Sequence, residues 1–127
     1  MKGVLKMGMR VLVVDDSSIM RKMIKKTLQA DGHNVLGEAK SGREAVEMYT
    51  ALSPDLVTMD ITMRGMDGLE AARRILSTDA SARIVFLSNL EKDRYSKDAI
   101  RIGAKGYLSK HDPEKILNLI REIAWSR

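Results

Sequence analysis

Short, almost continuously apolar runs alternate along the chain with longer segments in which apolar residues recur every three or four positions. The short runs are rich in β-branched residues, which is typical of strands buried on both faces. The longer segments carry an apolar stripe opposite a polar one, which predicts an amphipathic helix after every strand. The five predicted strands are Arg10–Val14, Asn34–Ala39, Asp55–Asp60, Arg83–Ser88 and Gly106–Lys110.

Capping residues and glycines indicate where the five predicted helices begin and end. Ser41 and Asp67 each precede a glutamate by three residues, as in a capping box, so they are expected to start the second and third helices. Asp112-Pro113 is expected to open the fifth helix, because proline fits the first helical position. The first helix is expected from about Ser18 to Ala30, and the fourth from about Arg94 to Ile102, before Gly103.

Five strand–helix units in series predict a parallel sheet with right-handed crossovers and helices on both faces. The expected fold class is therefore α/β, a doubly wound (βα)5 sheet with the flavodoxin-like strand order 2-1-3-4-5. At 127 residues the chain is expected to form one domain over residues 1–127. About the first eight residues form a leader before the first strand, and whether this leader is ordered stays open.

Composition excludes several classes of protein. The chain has no cysteine, which excludes a disulfide scaffold and thiolate chemistry. Its longest purely apolar runs, such as Val11–Val14, are too short for a membrane span or a signal peptide, so a cytoplasmic location is expected. The net charge is +5, but no aromatic residue lies in a basic tract, so a nucleic-acid partner has little support. The basic stripe of the first helix either steers an acidic partner or is a solvated face: Arg21, Lys22, Lys25 and Lys26.

Polar residues stand at the carboxyl ends of four predicted strands, which meet at one edge of a parallel sheet. They are Asp15 and Asp16 after the first strand, Asp60 on the third, Ser88 on the fourth and Lys110 on the fifth. The second strand ends in Glu38-Ala39, which supplies no obvious group for a site. Strands one and three are expected to be neighbours, so three carboxylates would crowd together and repel one another. A hard cation with oxygen ligands relieves that repulsion, and Mg²⁺ is the expected one.

The same edge predicts chemistry on a phosphoryl group. Lys110 supplies a compact positive charge for a phosphoryl oxygen, and Ser88 can donate a hydrogen bond to another. No glycine-rich nucleotide loop follows any strand, so the phosphoryl donor is expected to be another molecule. Asp60 is the candidate acceptor, which would form an acyl phosphate. Taken singly, each of these residues could instead be a helix cap or a solvated side chain.

With these residues assembled, the chain resembles the receiver domains of response regulators, of the single-domain CheY type. The matching stretches cover almost the whole chain and are spaced as in that family: VLVVDDS at 11–17, PDLVTMD at 54–60, GMDG at 65–68, FLS at 86–88 and GAKGYLSK at 103–110. The resemblance implies that Asp60 takes a phosphoryl group from a histidine kinase in a two-component system.

Roles for the other site residues follow from the same resemblance. Asp16 would bind Mg²⁺ directly and Asp15 mostly through water, with Asp60 and the backbone carbonyl of Thr62 completing the protein ligands. Lys110 would hold a phosphate oxygen. The switch pair would be Ser88, whose hydroxyl moves toward the phosphate, and Tyr107, which rotates inward behind it.

The resemblance also implies the partners and the alternatives. The phosphodonor would be a chemotaxis-type histidine kinase or a histidine phosphotransfer protein, the target a separate motility protein, and a phosphatase would end the signal. The chain would catalyse its own phosphorylation and dephosphorylation without being an enzyme of external turnover, and it would need neither nucleic acid nor a membrane. A phosphorelay intermediate and a receiver fragment of a transcription regulator stay open.

Two other classes fit the residues less well. A phosphohydrolase of the haloacid dehalogenase type needs Asp-x-Asp after the first strand, whereas Asp15 and Asp16 are adjacent here. In a flavin carrier, Asp15 and Asp16 would repel the phosphate of the flavin. Three positions depart from the common receiver pattern: Arg64 and His111 replace the usual prolines, and Asn89 replaces a small residue.

Overall fold

A five-stranded parallel sheet with a helix after every strand organises the molecule. The computed structural model describes residues 8–89 and 95–125. The strands are β1 (Arg10–Val14), β2 (Asn34–Ala39), β3 (Leu56–Asp60), β4 (Ile84–Ser88) and β5 (Gly106–Ser109). The helices are α1 (Ser18–Ala30), α2 (Gly42–Leu52), α3 (Gly68–Thr78), α4 (Ser96–Arg101) and α5 (Lys115–Trp125). The strand order β2-β1-β3-β4-β5 confirms the predicted fold class.

Three strands are one residue shorter than the sequence predicts. Asp55, Arg83 and Lys110 lie just outside β3, β4 and β5. The carboxylate of Asp55 accepts a hydrogen bond from the backbone N–H of Arg10 at 2.8 Å. Its side chain therefore bonds to the first residue of β1, beside the start of the β1–β3 pairing. The backbone N–H of Lys110 still donates to the carbonyl of Ser88 at 3.0 Å, which continues the direction of β5.

The fifth helix begins later than predicted. Asp112 and Pro113 precede α5 instead of opening it. The N–H groups of Lys115 and Ile116 donate to carbonyls three residues earlier, both at 3.1 Å, which is the tighter bonding of a 3₁₀ turn. The Asp112 carboxylate pairs with the Lys115 ammonium at 3.6 Å. Aspartate and proline suit this turn as well as a helix start, so their pattern does not show which of the two begins at Asp112.

Two other predicted boundaries touch residues outside the described ranges. The predicted start of the fourth helix at Arg94 lies outside them, and the described helix runs from Ser96 to Arg101. Gly103, with φ +98°, follows it as expected for a glycine that ends a helix. The expected leader also lies outside them, except for Gly8.

Among the described residues, no helix combines the length and apolar character that a membrane crossing requires.

Both faces of the sheet are covered by helices, as the apolar runs predict. On one face, alternate strand residues pack with Ile24 and Leu28 of α1 and with Ile116 and Ile120 of α5. On the other face, the intervening strand residues pack with α2, α3 and Ala99 of α4. Burial on both faces leaves only the strand ends free to present polar groups.

A close backbone contact joins the end of β3 to the start of α3. Gly68 donates its N–H to the carbonyl of Ile61 at 2.8 Å, and a Cβ at Gly68 would collide with the carbonyl oxygen of Asp60. The side chain of Asp67 caps the helix by accepting the N–H of Glu70 at 2.9 Å. The loop after Asp60 is therefore pulled back against the strand that carries it.

Because this contact has no room for a methyl group, Gly68→Ala is expected to lower the free energy of unfolding by about 1–3 kcal/mol. Urea denaturation followed by circular dichroism measures the change. Gly65→Asn is the control, because the space around Gly65 is open and asparagine tolerates its φ of +72°. A Gly68→Ala protein as stable as the wild type would show that the contact is not tight.

Candidate functional site

Three aspartates meet at the carboxyl edge of the sheet. Asp15 and Asp16 follow β1, and Asp60 is the last residue of β3, which pairs directly with β1. One carboxylate oxygen from each aspartate lies within 4.8 Å of the others. Asp15 and Asp60 are buried, whereas Asp16 is exposed. The predicted cluster is therefore assembled by the strand order, with one carboxylate open to solvent.

Lys110 brings a positive charge into this cluster from the far end of the sheet. Its ammonium lies 2.7 Å from Oδ2 of Asp15 and 3.1 Å from Oδ1 of Asp60, and only 6% of its side chain is exposed. Lys110 follows β5, so its side chain reaches past the end of β4 to bridge the two buried aspartates. Breaking a buried pair by removing one partner is strongly unfavourable, so this bridge holds the three residues in place.

One ammonium does not balance three carboxylates. Burial, with repulsion from Asp15 and Asp16, raises the pKa of Asp60 to about 6, although the charge and hydrogen bond of Lys110 pull the other way. Burial alone would lower the pKa of Lys110, but the bonds and charges of Asp15 and Asp60 raise it, so the ammonium stays protonated. The site keeps an excess of negative charge that a cation would neutralise.

The donor set fits a hard divalent cation. All three clustered ligands are carboxylate oxygens, and the backbone carbonyl of Thr62, an exposed residue, comes two positions after Asp60. Mg²⁺ prefers such oxygen ligands and usually keeps several waters. The solvent exposure of Asp16 is compatible with those waters.

The carboxylate of Asp15 is held on both oxygens. Its Oδ1 accepts the backbone N–H of Ser17 at 2.9 Å, while Oδ2 faces Lys110. Ser17 itself caps α1, because its hydroxyl oxygen accepts the N–H of Met20 at 3.2 Å. The turn from β1 into α1 therefore orients Asp15 through local hydrogen bonds.

Ser88 and Tyr107 lie near the same edge but in different surroundings. Ser88 ends β4, is buried, and follows Leu87, the partner of Asp60 in the β3–β4 register. Tyr107 pairs with Phe86 across β4 and β5, and its half-buried ring packs against the core beside α4. Its hydroxyl is buried without a hydrogen-bond partner among the described residues.

The three departures from the receiver pattern lie around the site. Arg64 is exposed and lines a shallow cleft of about 490 Å³ together with Arg43 and Arg74. The bond between Lys110 and His111 is trans, since the described residues contain no cis peptide. Asn89 is exposed directly after Ser88. None of the three enters the carboxylate cluster.

Two residues at this edge were not recognised from the sequence. Arg21 was interpreted only as part of a basic stripe, and Glu38 as supplying nothing. In the structure the Arg21 guanidinium donates to the carbonyl oxygen of Asp15 at 2.7 Å and to the Glu38 carboxylate at 3.1 Å. The available signal was that Arg21 lies on the turn after Ser17, where a long side chain can fold back over the β1–α1 corner.

Comparisons with known proteins agree with this geometry. A family model described as "Response regulator receiver domain" matches residues 11–121. The chain is 41% identical over 119 residues to the chemotaxis protein CheY of Thermotoga maritima, covering 93% of this chain and 99% of that protein. It is 44% identical over 117 residues to the CheY of Bacillus subtilis, covering 91% and 98%.

A solved structure gives the same result. The complex of CheX, CheY, BeF3 and Mg²⁺ from Borrelia burgdorferi contains a chain that matches with a TM-score of 0.85 and 35% identity. That match covers 90% of this chain and 87% of the other. The strand order, the carboxylate cluster with its buried lysine, and these likenesses together show that the chain belongs to the family of response regulator receiver domains.

Proposed function

We propose that this receiver is a phosphorylation-driven switch in which Asp60 is the phospho-acceptor. The observation that carries the proposal is a buried carboxylate at the sheet edge, bridged by Lys110 and crowded by two further aspartates. The donor would be the phosphohistidine of a chemotaxis-type histidine kinase or of a phosphotransfer protein. An oxygen of Asp60 would bond to phosphorus as the nitrogen–phosphorus bond of the donor breaks, which leaves an acyl phosphate and a free histidine.

The acidic cluster would hold Mg²⁺ for this step. Asp16, Asp60 and the Thr62 carbonyl would be direct ligands, and Asp15 would act mostly through water. The bound ion would neutralise charge on the phosphoryl oxygens. Lys110 already contacts Asp60 at 3.1 Å, so its ammonium is placed to pair with a phosphoryl oxygen once Asp60 is modified.

The added phosphate would be read out through Ser88 and Tyr107. A phosphate dianion at Asp60 supplies strong acceptor oxygens close to the buried hydroxyl of Ser88. Movement of Ser88 would make room for Tyr107, whose buried hydroxyl has no hydrogen-bond partner among the described residues, to rotate inward. The surface that changes would be α4, β5 and α5, which would bind a separate motility protein until a phosphatase or self-catalysed hydrolysis removes the phosphate.

Asp60→Asn is expected to abolish acyl-phosphate formation, because an amide is not nucleophilic toward phosphorus. The wild type incubated with Mg²⁺ and acetyl phosphate should gain one hydroxylamine-labile phosphoryl group by intact mass. Asp112→Asn, at an exposed position, is the matched control and should behave as the wild type, while a chelator should prevent the adduct. An adduct of full stoichiometry on the Asp60→Asn protein would rule out Asp60 as acceptor.

Asp60→Asn is also expected to stabilise the metal-free fold at pH 7.5 by on the order of 2 kcal/mol. Since folding raises the pKa of Asp60 from 3.8 to about 6, the folded state binds its proton more tightly, and stability falls as pH rises through that interval. The stability difference between Asp60→Asn and the wild type should therefore vanish at a pH below the ordinary carboxyl pKa of 3.8. Urea denaturation across pH measures it, with the exposed Glu114→Gln as control. Equal stability of variant and wild type at pH 7.5 would contradict the charge imbalance.

Lys110→Ala is expected to leave phosphorylation of Asp60 possible while uncoupling it from the output surface, because the ammonium that links the phosphate to β5 is gone. In the wild type, phosphorylation should change the amide NMR chemical shifts of α4 and β5 as well as those near Asp60. In the variant, the changes should be confined to residues near Asp60. The exposed Lys105→Ala is the control. Full propagation of the shifts in Lys110→Ala would remove this role from Lys110.

A further inference from the structure

Arg21 differs from the other basic residues of its helix. Only 16% of its side chain is exposed, whereas the neighbouring Lys22 is exposed. Its guanidinium donates in two directions, from one terminal nitrogen to the carbonyl oxygen of Asp15 at 2.7 Å and from Nε to Oε1 of Glu38 at 3.1 Å. The planar fork of arginine is suited to such a double contact, and a lysine ammonium is not equivalent to it.

Glu38 is the anchor that keeps this arginine in place. It lies near the end of β2, the strand that pairs with β1, and it also accepts a hydrogen bond from Lys25 at 3.3 Å. Burial alone would raise the pKa of Glu38, but the hydrogen bonds from Arg21 and Lys25 lower it, so the anchor stays ionised. The guanidinium is therefore held between β2 and the β1–α1 corner.

The group that Arg21 holds is the peptide between Asp15 and Asp16. On the other side of Asp15, its N–H donates to the carbonyl of Ala39 at 3.0 Å. The peptide unit is planar, so fixing its carbonyl oxygen fixes the direction in which the chain enters Asp16. The Asp16 side chain makes no hydrogen bond or ion pair with the residues that the structure describes. Its position at the cluster therefore depends on the backbone that carries it.

We propose that Arg21, anchored by Glu38, is a positioning residue that sets the affinity of the aspartate cluster for Mg²⁺ without contacting the ion. The inference rests on the proposed function, because it takes the cluster to be a Mg²⁺ site. Partners that orient metal ligands from outside commonly change metal affinity by about 10–100-fold when they are removed.

A purely electrostatic role would have the opposite sign. Arg21 carries a positive charge near three carboxylates, and removing that charge would strengthen the attraction of a cation to the site. Loss of the hydrogen bond to Asp15, in contrast, frees the Asp15–Asp16 peptide and weakens binding. The direction of the change in Mg²⁺ affinity therefore separates positioning from charge.

Isothermal titration of the full chain with MgCl₂, in the absence of any phosphodonor, tests the proposal. Arg21→Ala is expected to raise the Mg²⁺ dissociation constant by about tenfold. Glu38→Gln should raise it less, because the arginine remains but its anchor is neutral. Arg21→Lys should also bind more weakly than the wild type, because it keeps the charge but loses the fork. Lys22→Ala removes the same charge from the next position and should change the constant by less than about twofold, since it touches neither Asp15 nor Glu38.

Circular dichroism and thermal unfolding identify the variants that fold, and Arg21→Lys, which keeps the charge, keeps the test decisive if Arg21→Ala does not fold. Unchanged or tighter Mg²⁺ binding by the folded Arg21 variants would overturn the proposal. Wild-type affinity in Arg21→Lys beside weak binding in Arg21→Ala would also overturn it, because a single ammonium contact would then suffice and the double contact of the guanidinium would not be needed. A wild type that binds no Mg²⁺ would overturn the metal site itself. A wild type that binds Mg²⁺ but is never phosphorylated would defeat only the proposed function, because the titrations would still decide the role of Arg21.

Discussion

Repulsion among three carboxylates at one edge of the sheet is the constraint on which the rest of the site depends. Parallel strand order places Asp15 and Asp16 beside Asp60, and burial of two of them denies the cluster the screening that water would supply. Lys110 offsets part of the negative charge and leaves the remainder. In the proposed function, a divalent cation would neutralise that remainder.

The fold supplies the rigidity that this arrangement needs. Helices cover both faces of the sheet, so β1 and β3 are fixed by the core on either side. The backbone contact between Gly68 and the end of β3 fixes the loop after Asp60, and the cap at Ser17 fixes the turn before α1. Free energy from apolar burial thus holds polar groups in an arrangement that those groups alone would not adopt.

The sequence predicted most of the fold and the members of the cluster, for identifiable reasons. Apolar runs located the strands, and the rule that ligands bind at carboxyl strand ends brought Asp15, Asp60 and Lys110 to one place. The start of α5 was misplaced because Asp112 and Pro113 suit a 3₁₀ turn as well as a helix cap. The contact from Arg21 to Glu38 was missed because the two residues are 17 positions apart, in α1 and in β2, and the periodicity of apolar residues does not indicate which polar side chains of two elements will meet.

The most direct test of the account is to locate the phosphoryl group chemically on the wild-type chain. After reaction with Mg²⁺ and acetyl phosphate, borohydride reduction converts an aspartyl phosphate into homoserine, which peptide mass spectrometry assigns to a position. The account predicts homoserine at position 60 alone, and only when Mg²⁺ is present. Homoserine at position 15 or 16, or modification that persists in chelator, would contradict it.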